Sequence, residues 1–217
     1  MSKKTINICL TCDDNYIEHM YVTMYSTIVN LNRNVDSNFW ILDWGLSNHS
    51  KTMILSLQDK FEGIKIYFKP VDLKKYSNFP SFCWTYHTYF RFDIPNLLTD
   101  IDKVLYLDPD IVVNWDISDL FDLDLSNYAI AAPTSINIYY YYYYTLKIPK
   151  TYWYFNGGVM LMNLEFMREK DLVNSLFAYI NNNLDKIVSF DQDAFNAVLY
   201  DKRLEIGLEY NIQVKFV

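Results

Sequence analysis

The 217-residue sequence is short of glycine, with five residues where average usage of about 7% would give about fifteen. Gly45, Gly63 and Gly207 stand alone and only Gly157-Gly158 are adjacent, which excludes both the Walker-type phosphate loop and the G-x-G-x-x-G dinucleotide turn. Any anion must be held by another device. Long apolar runs are also absent: nothing approaches the ~18 consecutive apolar residues of a membrane span. Met1-Ser2-Lys3-Lys4 leads into a strand pattern without a signal-peptide core. Cysteine is scarce and odd in number (Cys9, Cys12, Cys83) in a chain too long to need disulfide staples, so a reducing, cytoplasmic setting is expected. Cys9-Leu10-Thr11-Cys12 spells C-x-x-C, but it lies within and at the end of the apolar run Ile6–Cys12, which favours buried strand cysteines over a redox pair. Positive charge is in deficit, 19 Lys and Arg against 26 Asp and Glu for a net charge of −7. That balance argues against nucleic acid or an anionic membrane as a general partner.

What is present is an ordinary globular balance, 51% hydrophobic and 21% charged. Thr5–Cys12 reads as a strand, followed by the turn and cap cluster Asp13-Asp14-Asn15. A helix follows, with Tyr16, Met20, Met24, Thr27, Ile28 and Leu31 at helical spacing. Ser37–Trp44 reads as a second strand, Ser47–Glu62 as a second helix and Gly63–Pro70 as a third strand. Strand, helix, strand, helix, strand implies right-handed crossovers and a parallel sheet. Downstream, Thr85–Leu98 reads as a helix interrupted near Pro95. Asp102–Leu107, Tyr128–Ala132 and Gly158–Leu164 read as strands, Glu165–Asn181 and Asp191–Tyr200 as helices, and Leu204–Val217 as a final strand. With no linker and no repeat, one α/β domain over 1–217 is the economical reading. Tyr139–Tyr144 are six consecutive tyrosines with neither strand nor helix period. Two readings compete there, an aromatic surface loop and an acceptor platform whose rings stack on sugars.

Four clusters carry chemistry. Val104–Val113 contains Asp108-Pro109-Asp110 at the end of an apolar strand. In extended backbone, residues two apart share a face, and Pro109 biases Asp108 toward that region. Two carboxylates so placed suit a hard divalent cation, or else form a solvated turn. Asp13, Asn15 and Tyr16 sit at the first strand-to-helix turn, where they either cap the helix or take a nucleoside by hydrogen bonds and ring stacking. Tyr154-Phe155-Asn156-Gly157-Gly158 precedes a strand, where glycine lets backbone approach a ligand. Phe190-Asp191-Gln192-Asp193 opens a helix, which Asp191 alone would merely cap.

These clusters, in this order, resemble glycosyltransferase family 8. That family comprises retaining, metal-dependent transferases that include bacterial lipopolysaccharide galactosyl- and glucosyltransferases and glycogenin. The resemblance is carried by DDNY at Asp13–Tyr16, TYFR at Thr88–Arg91, KVLYLDPDIVV at Lys103–Val113, FNGGVMLMN at Phe155–Asn163 and DQDAFN at Asp191–Asn196. It implies a GT-A fold, a Rossmann-like nucleotide-sugar transferase fold with a mostly parallel mixed sheet flanked by helices. It further implies that Asp13, Asn15 and Tyr16 hold the uridine and that Arg91 reaches the donor near its diphosphate. Asp108 and Asp110 would bind Mn²⁺, with Mg²⁺ as the alternative, and Asp108 would also lie close to the donor sugar. Asn156, Asp191 and Gln192 would line that sugar, with Asp191 and Gln192 as the catalytic pair.

The implied partners are a UDP-hexose, glucose or galactose, and a saccharide acceptor such as lipopolysaccharide or another cell-surface glycan. The family's H-x-x-G…K-P-W segment, whose His completes the metal site, does not occur within 217 residues. His19, His49 and His87 match no part of it and read as surface or core histidines. The expectation is therefore a domain lacking the family's C-terminal segment and the basic tail that would give peripheral membrane contact. A truncated homologue that binds the UDP-sugar without transferring it is the alternative. A nucleotidyltransferase would carry a Gly-rich loop, and a glycosidase would need more widely separated carboxylates.

Overall fold

The computed structural model describes residues 3–80, 86–136 and 140–213. In chain order the elements are β1 (Lys4–Thr11), α1 (Ile17–Asn30), β2 (Val35–Asp43), α2 (Asn48–Lys60), β3 (Ile64–Pro70), α3 (His87–Phe90), α4 (Ile94–Leu97) and β4 (Lys103–Leu107). Then follow α5 (Ser118–Phe121), β5 (Ile130–Pro133), α6 (Tyr140–Thr145), β6 (Val159–Asn163), α7 (Leu164–Glu169), α8 (Leu172–Asn182), α9 (Phe190–Leu199) and β7 (Arg203–Ile206). The chain divides into two compact units, 1–74 with 104–124 and 75–103 with 125–217.

The first unit is a parallel sheet in the order β3-β2-β1-β4. β1 is apolar because it is covered on both faces: Ile6, Ile8, Cys9 and Leu10 are fully buried. α1 turns Met20, Met24 and Ile28 inward at helical spacing and leaves Val22, Tyr25 and Val29 exposed. Ser47 caps α2 by accepting from the Ser50 amide at 3.2 Å. Cys9 and Cys12 are free and buried, as the apolar run suggested. Burial, helped by the carboxylates of Asp13 and Asp14, pushes the Cys12 thiol up to about 12, so neither supplies a ready thiolate. Cys83 lies outside the described residues.

In the second unit β5 pairs with β6 antiparallel and with β7 parallel. Its core is aromatic: Phe92 stands edge-on to Phe195 with ring centroids 5.0 Å apart, and Phe79 to Tyr89 at 4.9 Å. The helix expected over 85–98 is three short turns, because Pro95, which lacks an N–H, takes the opening of α4 after a 3₁₀ turn at Arg91–Asp93. Thr85 itself lies outside the described residues. The single helix expected at Glu165–Asn181 is two. Asp171 adopts a left-handed φ of 52°, a conformation its short side chain tolerates, and this breaks the helix before α8; its carboxylate accepts from the Asn174 side chain Nδ2 at 2.7 Å. The final strand closes at Ile206, after which Leu208–Tyr210 forms a 3₁₀ turn; residues 214–217 lie outside the described set.

The tyrosine run also departs from an irregular loop. Its described part is the helix α6, with Tyr142 buried and Tyr144 71% exposed. Residue 139 lies outside the described residues.

Candidate active-site residues

In the first unit, two strand ends carry the candidate residues. β1 and β4 are parallel neighbours with Cys9 level with Tyr106. Continuing that register puts Thr11 level with Asp108, so both loops leave the same carboxyl edge, where parallel sheets place their ligands. At the β1 end, the Asp13 carboxylate accepts from the amides of Asn15 (3.0 Å) and Tyr16 (3.1 Å) and from Asn15 Nδ2 (3.1 Å). Asp13 therefore caps the 3₁₀ turn Asp14–Tyr16 and fixes Asn15 beside it. Tyr16 is 40% exposed, its ring 5.2 Å from that of His19. A half-exposed ring at a sheet's carboxyl edge is available to stack on a planar ligand.

At the β4 end, extended backbone stops at Leu107 and Pro109-Asp110 form a turn. The expectation that Asp110 continues the strand's face therefore does not hold, because the turn at Pro109 ends the two-residue period. Tyr106, one face-step before Asp108, donates its hydroxyl to Asp108 Oδ1 at 3.0 Å. The loop is pinned by α1. Thr23 Oγ1 donates to the Pro109 carbonyl (2.7 Å), Ser26 Oγ accepts from the Val113 amide (3.1 Å), and Asn30 Nδ2 donates to the Val113 carbonyl (2.9 Å). These three residues escaped the sequence reading, although polar residues at helical spacing on a buried face were its available signal. Asp108 is half-buried and Asp110 exposed. No group of three His, Cys, Asp or Glu able to hold a metal gathers among the described residues. Two carboxylates at a strand end are the hard oxygen donors that a divalent cation takes.

In the second unit, Arg91, Asn156, Asp191 and Gln192 surround the Gly157-Gly158 loop. Arg91 and Asp191 are both buried (5% and 2% exposed) and form an ion pair through Nε. Arg91 Nη1 also donates to the Gly157 carbonyl at 2.6 Å. A Cβ on residue 157 would come within 3.3 Å of that Nη1, so glycine is what allows the close approach. Gln192 Oε1 accepts from the Gly157 amide (3.0 Å), and its Nε2 donates to the Tyr154 hydroxyl (3.2 Å). Asn156 Oδ1 accepts from Gly158 N (2.7 Å) and Asn211 Nδ2 (2.8 Å). Its carbonyl is therefore saturated, and its amide N–H groups are what it has to offer a ligand.

Asp191 does not cap α9. Ser189 takes the N-cap position, and Asp193, inside the first turn, reaches back to accept from the amides of Val188 and Ser189, each at 2.8 Å, and from the Tyr154 hydroxyl at 2.8 Å. Asn196 clamps Phe155, its Oδ1 on the amide (2.7 Å) and its Nδ2 on the carbonyl (2.9 Å). Tyr154, Asp193 and Asn196 lay inside or beside the quoted motifs without an assigned role, since which side chain turns inward depends on tertiary packing. Of the three histidines, His19 and His49 are exposed and His87 packs edge-on against Phe90, ring centroids 6.0 Å apart.

A half-sheet of parallel strands ending in a D-x-D turn, with an Asn-Gly-Gly loop held by an Asp-Gln helix start, defines a GT-A glycosyltransferase. Residues 7–217 match glycosyl transferase family 8, and the chain belongs to that family. It is 32% identical to general stress protein A of Bacillus subtilis over 98% of this chain and 76% of that protein. It is 27% identical to the lipopolysaccharide 1,3-galactosyltransferase of Salmonella typhimurium over 94% of this chain and 68% of that enzyme. The crystal structure of a galactosyltransferase, LgtC, with donor and acceptor sugar analogues superposes with a TM-score of 0.86 at 25% identity, over 94% of this chain and 74% of that one. Against some relatives the chain spans less of the partner's length, 63% of a putative glycosyltransferase of Haemophilus influenzae, for example. Membership implies a nucleotide-sugar donor and a saccharide acceptor, and enzymes of this family and fold generally use a divalent metal. No helix among the described residues is long and apolar enough to cross a membrane.

Proposed function

We propose that the chain moves a hexose, glucose or galactose, from a UDP-sugar to a saccharide acceptor of a cell-surface glycan such as lipopolysaccharide, with retention at the anomeric carbon. The observation that carries this reading is the Asp108-Pro109-Asp110 turn at the carboxyl edge of a buried parallel strand, held by a hydrogen bond from Thr23 of α1 to the Pro109 carbonyl, with Val113 just beyond it held by Ser26 and Asn30. A chain of net charge −7 has no Gly-rich cradle for a diphosphate, so paired carboxylates need a cation to bring one in. Mn²⁺ is the ion assigned to Asp108 and Asp110; when bound it supplies Lewis-acid neutralisation of the departing UDP.

The protein's own side chains do the rest. Asp13 and Asn15 offer oxygen and amide groups to the uridine, and Tyr16 offers a ring face. On the sugar side, Gln192 spends one N–H and one lone pair on Tyr154 and Gly157. One N–H and one acceptor remain for a hydroxyl or for a positively polarised anomeric carbon. Asn156 donates to sugar hydroxyls. Asp191 lines the sugar with carboxylate oxygen, the type of group that favours developing oxocarbenium character. The single domain over 1–217 belongs to the same proposal.

Incubation with UDP-glucose or UDP-galactose, Mn²⁺ and a saccharide acceptor tests this reading by proton NMR of the product. The expected product carries an α-linked hexose, the donor's own configuration. A β-linked product, or release of no UDP at all, contradicts it.

A further inference from the structure

Among the described side chains of the tyrosine run, Tyr142 is buried, and it touches the Gln192 network through Tyr154. Tyr142 is 8% exposed and lies face to face with Tyr154, ring centroids 4.1 Å apart and planes 16° from parallel. Tyr154 is 1% exposed, and its hydroxyl has two partners, donating to Asp193 Oδ1 (2.8 Å) and accepting from Gln192 Nε2 (3.2 Å). The ring of Tyr142 therefore backs the ring whose hydroxyl orients the Gln192 amide. A second link runs through the hydroxyl of Tyr142, 3.1 Å from Ser189 Oγ, at the N-cap of the helix that carries Gln192. Leu146 and Ile148 close the same buried cluster, so Tyr142 is anchored in a packed interior. Tyr144, two residues on in the same helix, is exposed and has no part in this cluster.

We propose that Tyr142 is a positioning residue for hexose transfer, acting through Tyr154 on the Gln192 amide. This rests on the reading that Gln192 lines the donor sugar. The physical basis is that the stacked ring of Tyr142 fixes the ring plane of Tyr154, whose hydroxyl moves with that plane. A shift of about 1 Å in a group beside the reacting centre costs up to about a hundredfold in rate. The α6 helix thereby couples the tyrosine-rich segment to the chemistry rather than to acceptor stacking alone.

Steady-state kinetics with the full chain, UDP-hexose and Mn²⁺ test the proposal on Tyr142→Phe, Tyr142→Leu, Tyr154→Phe, Gln192→Ala and the double variant Tyr142→Leu/Gln192→Ala. Tyr142→Phe keeps the stacked ring and should retain more than half of the wild-type kcat. Tyr142→Leu fills the space without a flat face and should lose about tenfold in kcat, with KM for the donor and Kd for UDP within about twofold of wild type. Tyr154→Phe keeps the stack but removes the hydroxyl, and should show the same kcat loss, so the proposal does not depend on Tyr142→Leu folding. Because both tyrosines act through Gln192, the double variant should be no slower than Gln192→Ala. A double variant showing the full product of the two single losses overturns the positioning role while leaving Gln192's own role intact. A wild-type kcat in Gln192→Ala instead overturns the reading on which the proposal rests.

Discussion

Arg91 and Asp191, one hundred residues apart, are each other's ion partners in the interior of the second unit. Each charge is compensated there by the other. Removing one member of a buried pair costs about 3–5 kcal/mol, because the survivor is left uncompensated. Arg91→Met should therefore lower the free energy of urea unfolding by about that amount. Arg91→Met combined with Asp191→Leu should lose clearly less, since no charge remains buried. A double variant that loses the sum of the two single losses would show that the two charges are independent.

The Asn196 side chain does for Phe155 what a neighbouring strand would do, taking both its amide and its carbonyl. Asn196→Ala leaves both groups buried without a partner, at about 1–3 kcal/mol each. The expected outcome is a destabilisation of about 2–4 kcal/mol and faster hydrogen exchange at the Phe155 amide. Unchanged protection of that amide would contradict the clamp.

Asp193 gives stability an unusual pH dependence. Burial, opposed by hydrogen bonds from the Val188 and Ser189 amides and the Tyr154 hydroxyl, holds its carboxyl above the ordinary range. The folded protein thus binds this proton more tightly than the unfolded chain. The stabilisation is complete below the unfolded value of about 3.9 and is lost as pH rises through the raised folded value. The stability advantage of wild type over Asp193→Asn should be largest near pH 4 and shrink as pH rises. Urea titrations across that range check it; an advantage that grows with pH would reverse the assignment.

Thr23 on α1 holds the loop that carries the two proposed metal carboxylates, through the Pro109 carbonyl at 2.7 Å. Loss of a group that supports metal ligands typically costs 10–100-fold in affinity. Thr23→Val should raise the Mn²⁺ concentration for half-maximal UDP release by about tenfold, with much of the rate regained at saturating Mn²⁺. An unchanged Mn²⁺ requirement would mean that the pin does not govern the turn.

The parallel βαβ half was legible because apolar strands such as Ile6–Cys12 and helices such as Ile17–Asn30 announce themselves by period. The positions of the motifs were legible for the same reason, since each falls at an element boundary. Their internal geometry was not. Asp191 reads as an N-cap, yet Ser189 takes that position, Asp193 reaches back to the Val188 and Ser189 amides, and Asp191 pairs with an arginine one hundred residues away. Both carboxylates are buried, and only long-range packing decides which partner each takes. The tyrosine run has no hydrophobic period because every position is the same residue, so nothing in the sequence marks Tyr142 as buried and Tyr144 as exposed. The turn at Pro109 was misjudged because proline restrains the residue before it but not the one after.

The most direct test is UDP release from UDP-glucose or UDP-galactose, with and without Mn²⁺, in wild type, Asp108→Ala and Asp110→Ala. The account predicts Mn²⁺-dependent release in wild type and a loss of at least about a hundredfold in each variant, matching the several kcal/mol that a metal contributes to leaving-group stabilisation. Release at the wild-type rate in both variants would contradict it.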